Sequence, residues 1–301
     1  HTRAFLKIED GCDIFCSYCI IPYVRGKVTS KKIDDILFEA EQLVSNGYKE
    51  IVLTGIHLGA YGKETGYQLN IINVLEELQA LPGLERIRLS SIEVNEVTDD
   101  LIDLIADSDR VCPHFHLPLQ SGDDYILKRM NRKYDAAQYL ETVERIRGRL
   151  ELPSISTDIL VGFPGEKRIH FENTMKLCEQ AGFSRAHIFS YSPREDTPAA
   201  KMPDHCKPSD IKERKKELEF LTAETSLEYK NLFVGRDIGI LVEKERDKKT
   251  GKLCGYSDRY IKALFDGPDD LMNEIADVHV ESVSPQSVMG KCCSHAERGN
   301  K

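Results

Sequence analysis

Ala4-Phe5-Leu6-Lys7-Ile8-Glu9-Asp10-Gly11-Cys12-Asp13-Ile14-Phe15-Cys16-Ser17-Tyr18-Cys19 sets an apolar run directly before three closely spaced cysteines. The run at 4–8 reads as a strand, and Cys-x3-Cys-x2-Cys puts three thiolates on one tight loop after it. Three soft anionic ligands suit an iron–sulfur cluster or zinc. Structural zinc wants a fourth ligand, and no further Cys or His follows within the loop. A [4Fe–4S] cluster held by three cysteines leaves one iron open for a cofactor. On spacing alone, zinc and unliganded thiols stay open as alternatives. The remaining cysteines, at 112, 178, 206, 254, 292 and 293, are scattered, and the total of nine is odd. That pattern argues against a secreted disulfide framework and for reduced thiols with a metal site at the front.

Outward from this loop, short apolar runs alternate with amphipathic segments. Strands are expected at 4–8, 50–54, 86–91, 114–119, 155–162 and 186–190, each rich in Ile, Leu, Val and Phe and bounded by Gly, Asp or Ser. Between the first two, Ile33, Ile36, Leu37, Ala40, Leu43 and Val44 fall on one helical face. Asp34 and Asp35 suit its first turn, and Gly47 can close it. Further helices are expected at 71–81, 99–106, 136–149 and 171–181. Six strands alternating with helices imply right-handed crossovers and a parallel sheet. The α/β architecture is either an open doubly wound sheet or a partial (βα)6 TIM-like barrel. In both, ligands sit at the C-terminal ends of the strands.

Pro193, Pro198, Pro203 and Pro208 then break regular structure, and a charged connector helix follows at 210–233. The last stretch changes character. Runs at 238–242, 260–265 and 278–283 are β-branched and aromatic, which fits a small all-β domain over 234–292. Residues 1–233 form the core with its linker and connector, and 293–301 read as a disordered tail.

With 301 residues, 41% hydrophobic and 30% charged, the chain can bury one large core plus a small satellite, and it is not a wholly disordered polymer. No apolar run approaches the roughly 20 residues that span a bilayer, so no membrane role is expected. The net charge of −9 means that nucleic acid would be held by a local basic patch and not by bulk attraction. Trp is absent, so stacking falls to Tyr and Phe.

The triad, with aromatic Tyr18 before its third cysteine, resembles that of the radical S-adenosylmethionine (radical SAM) superfamily, whose partial (βα)6 barrel agrees with the strand count. Cys19-Ile-Ile-Pro-Tyr-Val-Arg-Gly26, His116-Leu-Pro-Leu-Gln-Ser-Gly122, Met130-Asn-Arg-Lys-Tyr134, Asp158-Ile-Leu-Val-Gly-Phe-Pro-Gly-Glu166 and Tyr191-Ser-Pro-Arg194 narrow the resemblance to its methylthiotransferases. Thr54-Gly-Ile-His-Leu-Gly-Ala-Tyr-Gly62 looks most like the MtaB-type branch, which methylthiolates C2 of N6-threonylcarbamoyladenosine at tRNA position 37. The terminal β-domain is similar to the family's RNA-contacting TRAM domain.

The resemblance implies a [4Fe–4S] cluster on Cys12, Cys16 and Cys19. The amino and carboxylate groups of S-adenosylmethionine would bind its open iron, and reductive cleavage would give a 5′-deoxyadenosyl radical. Tyr18, Thr54, Gly55, Ser90, Glu93, Gln120, Asp158 and Gly162 are the implied cofactor contacts. Asp158, inside an apolar strand, needs either a ribose hydroxyl or a salt-bridge partner. Arg25, Lys27, Lys31 and Lys32 after the triad, and Lys262 in the β-domain, are candidate RNA contacts or a solvated charge run. His57 either shapes the substrate mouth or is simply hydrogen-bonded. The implied partners are a tRNA anticodon loop and a flavodoxin- or ferredoxin-type reductant, in the cytoplasm, with the chain a monomer. The family holds a second [4Fe–4S] cluster in an N-terminal domain, which is expected to be missing from this chain. Lys167-Arg168-Ile169-His170 replaces an acidic run of the family, Asp196 stands where Gly is usual, and Val94 where Pro is common. Two other readings are a methylthiotransferase of a ribosomal-protein aspartate and a non-catalytic, zinc-containing RNA-binding protein.

Overall fold

The computed structural model describes residues 2–66 and 68–293. Strand β1 (Ala4–Lys7) leads into a two-residue ribbon, β2 (Glu9–Asp10) paired with β3 (Thr29–Ser30). This ribbon brackets the cysteine loop and the short helix α1 (Ile21–Arg25). Alternation follows: α2 (Ile33–Ser45), β4 (Glu50–Thr54), α3 (Ile71–Gln79), β5 (Arg86–Leu89), α4 (Asp99–Ala106) and β6 (His114–His116). Then come α5 (Asp124–Arg129), α6 (Ala136–Arg149), β7 (Ser154–Val161), α7 (Arg168–Ala181) and β8 (Arg185–Ser190).

All six main strands run parallel in chain order. β1-β4-β5 and β6-β7-β8 are each continuously paired, and the single bridges Ile87–Val111 and Ser91–His116 join the two halves. Among the described residues β1 and β8 do not pair, so the wall is a partial barrel open along one side. The helices bury periodic apolar faces against it, as α3 does with Ile71, Val74, Leu75 and Leu78. Local chemistry sets their starts. Asn70 with Asn73, and Asp135 with Gln138, form capping boxes at α3 and α6.

Departures from the sequence expectation have local causes. β5 and β6 stop at Leu89 and His116, short of the expected 91 and 119, and Pro118 removes a ladder donor just beyond β6. α7 begins at Arg168 and not at 171, because Arg168 pairs with Glu172 and Glu217 and so offsets its unfavourable place at a helix start. The connector, α8 (Pro208–Asn231), starts and ends two residues early. Asp196 has φ +68°, a left-handed conformation that Asp tolerates better than most residues and Gly adopts freely.

The terminal domain is a closed barrel of five strands: β9 (Asp237–Val242), β10 (Leu253–Ser257), β11 (Lys262–Asp266), β12 (Ile275–Val283) and β13 (Val288–Cys292). Its order is β10-β11-β13-β12-β9, with β11 and β13 parallel and the other pairs antiparallel. The sequence pattern shows only three of these strands. β10 contains Gly255 where the backbone of β9 passes so close that a Cβ would lie 2.3 Å from Leu241 O. Cys293, expected to open a disordered tail, donates its N–H to Asp277 O at 2.9 Å, and the rest of that expected tail, 294–301, lies outside the described residues.

Two arginines of β5 fix this domain to the N-terminal end of the large barrel. Arg88 is wholly buried; its Nε donates to Glu50 Oε1 at 2.8 Å, and its Nη groups donate to Ser257 O and Asp258 O. Its guanidinium lies 4.1 Å from the centre of the Tyr260 ring. Arg86 donates to Gly239 O at 2.8 Å and Tyr256 O at 3.2 Å. The C-terminal strand ends are thereby left to the cysteine loop.

Replacing Arg88 by Ala leaves the buried Glu50 carboxylate with only the approach of Arg86 Nη1 at 4.0 Å. Urea unfolding should show a loss of about 3–5 kcal/mol for Arg88→Ala, and a smaller loss for Glu50→Gln/Arg88→Met. A loss below about 1 kcal/mol would mean that Arg88, with its bonds to Glu50, Ser257 O and Asp258 O, does not anchor the terminal domain to the barrel.

Candidate active site

The cysteine loop is shaped from both ends. Gly11 has φ +88°, and a Cβ there would lie 2.1 Å from Lys27 O, so only glycine fits this approach. Cys12 N donates to Gly26 O at 3.1 Å and Cys19 N to Cys16 O at 3.0 Å. The segment after α5 grips the middle of the loop. Ser17 N donates to Met130 O at 2.9 Å, Ser17 Oγ to Arg129 O at 2.8 Å, and Asn131 Nδ2 to Phe15 O at 2.8 Å.

Cys12, Cys16 and Cys19 line one cavity of about 320 Å³ at the C-terminal ends of the strands, together with Tyr18, Gly55, His57, Glu93, Gln120 and Arg132. Arg132 organises it. Its Nη1 donates to Cys16 Sγ at 3.2 Å, its Nη2 pairs with Glu93, and its Nε donates to Tyr134 OH at 3.1 Å. Tyr134 OH in turn shares its one proton between Pro118 O at 2.8 Å and Leu119 O at 2.9 Å, tying the cysteine loop to the segment after β6. Burial pushes the Cys16 and Cys19 thiols up from their ordinary range, with Arg132 opposing it at Cys16 and a backbone N–H at Cys19. Burial likewise raises the Glu93 carboxyl against the pull of Arg132.

His57 closes one side. Its N–H donates to the buried Glu9 at 2.7 Å, and its Nε2 is 2.5 Å from Glu96 Oε1. Burial works to lower its pKa, but the neighbouring Cys12 sulfur and Glu96 carboxylate carry it up to about 10. Three thiols on one cavity wall, one of them accepting from a buried guanidinium, fit an anionic iron–sulfur cluster with an open face. A single tetrahedral ion fits less well: among the described residues no three His, Cys, Asp or Glu side chains are gathered to hold one.

A second cavity, of about 590 Å³, occupies the barrel interior between the strands and the terminal domain. It contains no cysteine, so the metal chemistry belongs to the smaller cavity, and Ser91 lines both. Of the expected cofactor contacts, Tyr18, Gly55, Glu93 and Gln120 face the cysteine cavity, whereas Thr54 and Ser90 face the interior one. Asp158 lines neither; its Oδ2 lies 3.3 Å from His116 Nε2. Gly162 is also absent from both, its N–H donating to Glu166 Oε1 at 3.1 Å.

The expected RNA contacts are not gathered. Arg25 pairs with Asp10, Lys31 with Glu39 and Lys262 with Asp247, while Lys27 and Lys32 are exposed. Lys262 alone among them lines the interior cavity. Arg132 was legible only as a member of the Met130–Tyr134 stretch. Arg185 and Lys230, which also line the interior cavity, carry no sequence signal: one opens a strand and the other ends a charged helix.

Comparison with known proteins agrees with this geometry. The Radical SAM superfamily model matches residues 6–178. The threonylcarbamoyladenosine tRNA methylthiotransferase MtaB of Thermotoga maritima is 40% identical over 289 residues, covering 96% of this chain and 65% of that protein. The tRNA-2-methylthio-N(6)-dimethylallyladenosine synthase of Alkaliphilus oremlandii is 37% identical over 289 residues, covering 96% and 61%. The chain therefore spans a little under two thirds of the length of these relatives. Coproporphyrinogen III oxidase (HemN) from Escherichia coli, a radical SAM enzyme, superposes with a TM-score of 0.55 at 15% identity over 74% of this chain and 52% of that one, a likeness of fold alone.

A raised thiol pKa means less thiolate at a given pH, hence slower alkylation whose rate climbs as pH rises past the ordinary thiol value. In the metal-free chain, iodoacetamide at about pH 8 should label Cys16 roughly tenfold or more slowly than in the urea-unfolded chain, read by peptide mass spectrometry. Equal rates would contradict the buried loop.

Proposed function

The chain belongs to the radical SAM superfamily, and from that premise we propose that it is the catalytic core of a tRNA methylthiotransferase acting on C2 of N6-threonylcarbamoyladenosine at position 37. The observation that carries this reading is the three-cysteine loop facing a cavity at the strand ends, with Arg132 donating to one of its sulfurs. A [4Fe–4S] cluster bound there supplies the electron for reductive cleavage of S-adenosylmethionine.

The chain's own residues supply position and environment. Cys12, Cys16 and Cys19 would hold the cluster, and Arg132, buried and donating to Cys16 Sγ, would offset its negative charge. Gly55, Glu93 and Gln120 line the space beside the cysteines where S-adenosylmethionine would lie, and Tyr18 closes it against Phe163. Excluding water from this pocket protects a reactive species from quenching.

The mouth suits single-stranded RNA. Phe15 and Tyr23 meet edge to face at 5.5 Å and remain 46% and 56% exposed, with Val24 65% exposed beside them. Exposed aromatics flanked by Arg25 and Lys27 are a stacking surface for unpaired bases. The terminal five-stranded barrel is read as a TRAM-like RNA-binding domain. Electrons come from a flavodoxin- or ferredoxin-type partner in the cytoplasm; no helix among the described residues is long and apolar enough to cross a membrane.

The test is anaerobic reconstitution with iron and sulfide, reduction, and addition of S-adenosylmethionine with an anticodon stem-loop carrying the modified adenosine deuterated at C2. The expected product is 5′-deoxyadenosine that contains deuterium and disappears in Cys16→Ala. No product from a cluster-loaded chain would contradict the radical core, and product free of deuterium would contradict the substrate.

A further inference from the structure

The interior cavity has one sign of charge. Arg88, Arg185, Lys230, Arg259 and Lys262 line it, and none of its lining residues is Asp or Glu. Three of these cations have partners: Arg88 is neutralised by Glu50, Arg259 by Asp258 and Lys262 by Asp247. Arg185 and Lys230 are left. Neither meets a carboxylate among the described residues. Lys230 is only 8% exposed, and its ammonium donates to two neutral oxygens, Ser226 Oγ at 3.0 Å and Pro285 O at 2.7 Å. A buried ammonium with no counter-charge is costly, and burial together with the field of Arg185 pushes its pKa down. An anion entering the cavity would relieve both.

Position narrows what that anion is. Gln120, in the cysteine cavity, bridges to Ile159 of β7, and Arg185 stands opposite Ser156, three residues back along the same strand. That is roughly 10 Å of strand, comparable to the span of an adenine and its N6 substituent. Phe5, on the edge strand β1, lines the same cavity and is 61% exposed, an apolar surface at the open side of the barrel where a base can lie.

We infer that Arg185 and Lys230 form a carboxylate-binding end of the barrel interior, and that they select an adenine whose N6 substituent carries a carboxylate. This rests on the tRNA methylthiotransferase reading. It separates the two relatives that identity does not: a threonylcarbamoyl group ends in a carboxylate, whereas a dimethylallyl group is apolar and would leave the buried Lys230 and the Arg185 beside it without a counter-charge. A guanidinium fork and an ammonium also match a planar carboxylate well.

The test is equilibrium binding of the chain to anticodon stem-loop RNAs that differ at one adenosine only: N6-threonylcarbamoyl, its methyl ester, and N6-dimethylallyl. Wild type should bind the acid about tenfold or more tightly than the ester or the dimethylallyl RNA. Arg185→Gln and Lys230→Met should each erase that preference and leave binding of the ester unchanged. Arg185 is exposed at a strand start, so its variant is expected to fold even where Lys230→Met does not, and thermal unfolding checks both. Equal weakening of acid and ester would mean that the cations hold phosphates, and overturn the proposal. So would a preference for the acid that survives in both variants, or a wild-type preference for the dimethylallyl RNA. Should wild type hold none of the stem-loops better than an unrelated hairpin, the tRNA reading itself fails, and the inference with it.

Discussion

Arg132 is the constraint on which the active site depends. A guanidinium only 8% exposed must spend its donors on something, and here they go to Cys16, Glu93 and Tyr134. The cysteine loop has no regular structure to stiffen it, and desolvation disfavours the thiolates that a metal needs. One buried cation addresses both problems: it fixes the loop against the segments that follow β5 and β6, and it favours negative charge on sulfur. Tyr134 extends the same network to the backbone of Pro118 and Leu119, so the position of the thiols is coupled to the wall that faces them.

The two ends of the barrel divide the remaining work. At the N-terminal end, Arg86 and Arg88 trade the solvent of an open barrel floor for backbone carbonyls of the terminal domain. At the C-terminal end, the thiols face a small, partly apolar cavity. Between them lies a polar interior that a hydrophobic core would ordinarily fill. His114, Ser154, Ser156 and Ser184 point into it, and burial holds His114 well below the usual imidazole range, so the positive charge there comes from arginine and lysine. A barrel that keeps its interior polar and open along one side gives up packing energy in return for a place to put a substrate.

Much of this was legible in the sequence because it rests on periodicity and spacing. The six parallel strands announce themselves as apolar runs, and the triad needs no tertiary information to be seen as a metal loop. The strands at β10 and β13 were missed because glycines at close approaches, such as Gly255, interrupt the β-branched pattern. The expected RNA cations were read from local charge density, yet Arg25, Lys31 and Lys262 are paired with carboxylates, two of them more than ten residues away in sequence. Thr54 ends β4 with Gly55 directly after it, and Ser90 follows β5; they look alike as sequence, but Thr54 and Ser90 line the interior cavity and Gly55 lines that of the thiols. Lys230 was invisible for a similar reason: only the docking of the terminal domain, which brings Pro285 O to its ammonium, distinguishes it from the other charged residues of α8.

The claim most in need of direct test is that three thiols here hold a four-iron cluster with one iron free to take a ligand. The measurement is electron paramagnetic resonance of the anaerobically reconstituted, dithionite-reduced chain with and without S-adenosylmethionine, alongside its iron and zinc content. The account predicts the signal of a single reduced [4Fe–4S] cluster whose g-values shift when S-adenosylmethionine is added. A chain that retains one zinc per molecule and takes up no iron, or a cluster signal indifferent to S-adenosylmethionine, would contradict it.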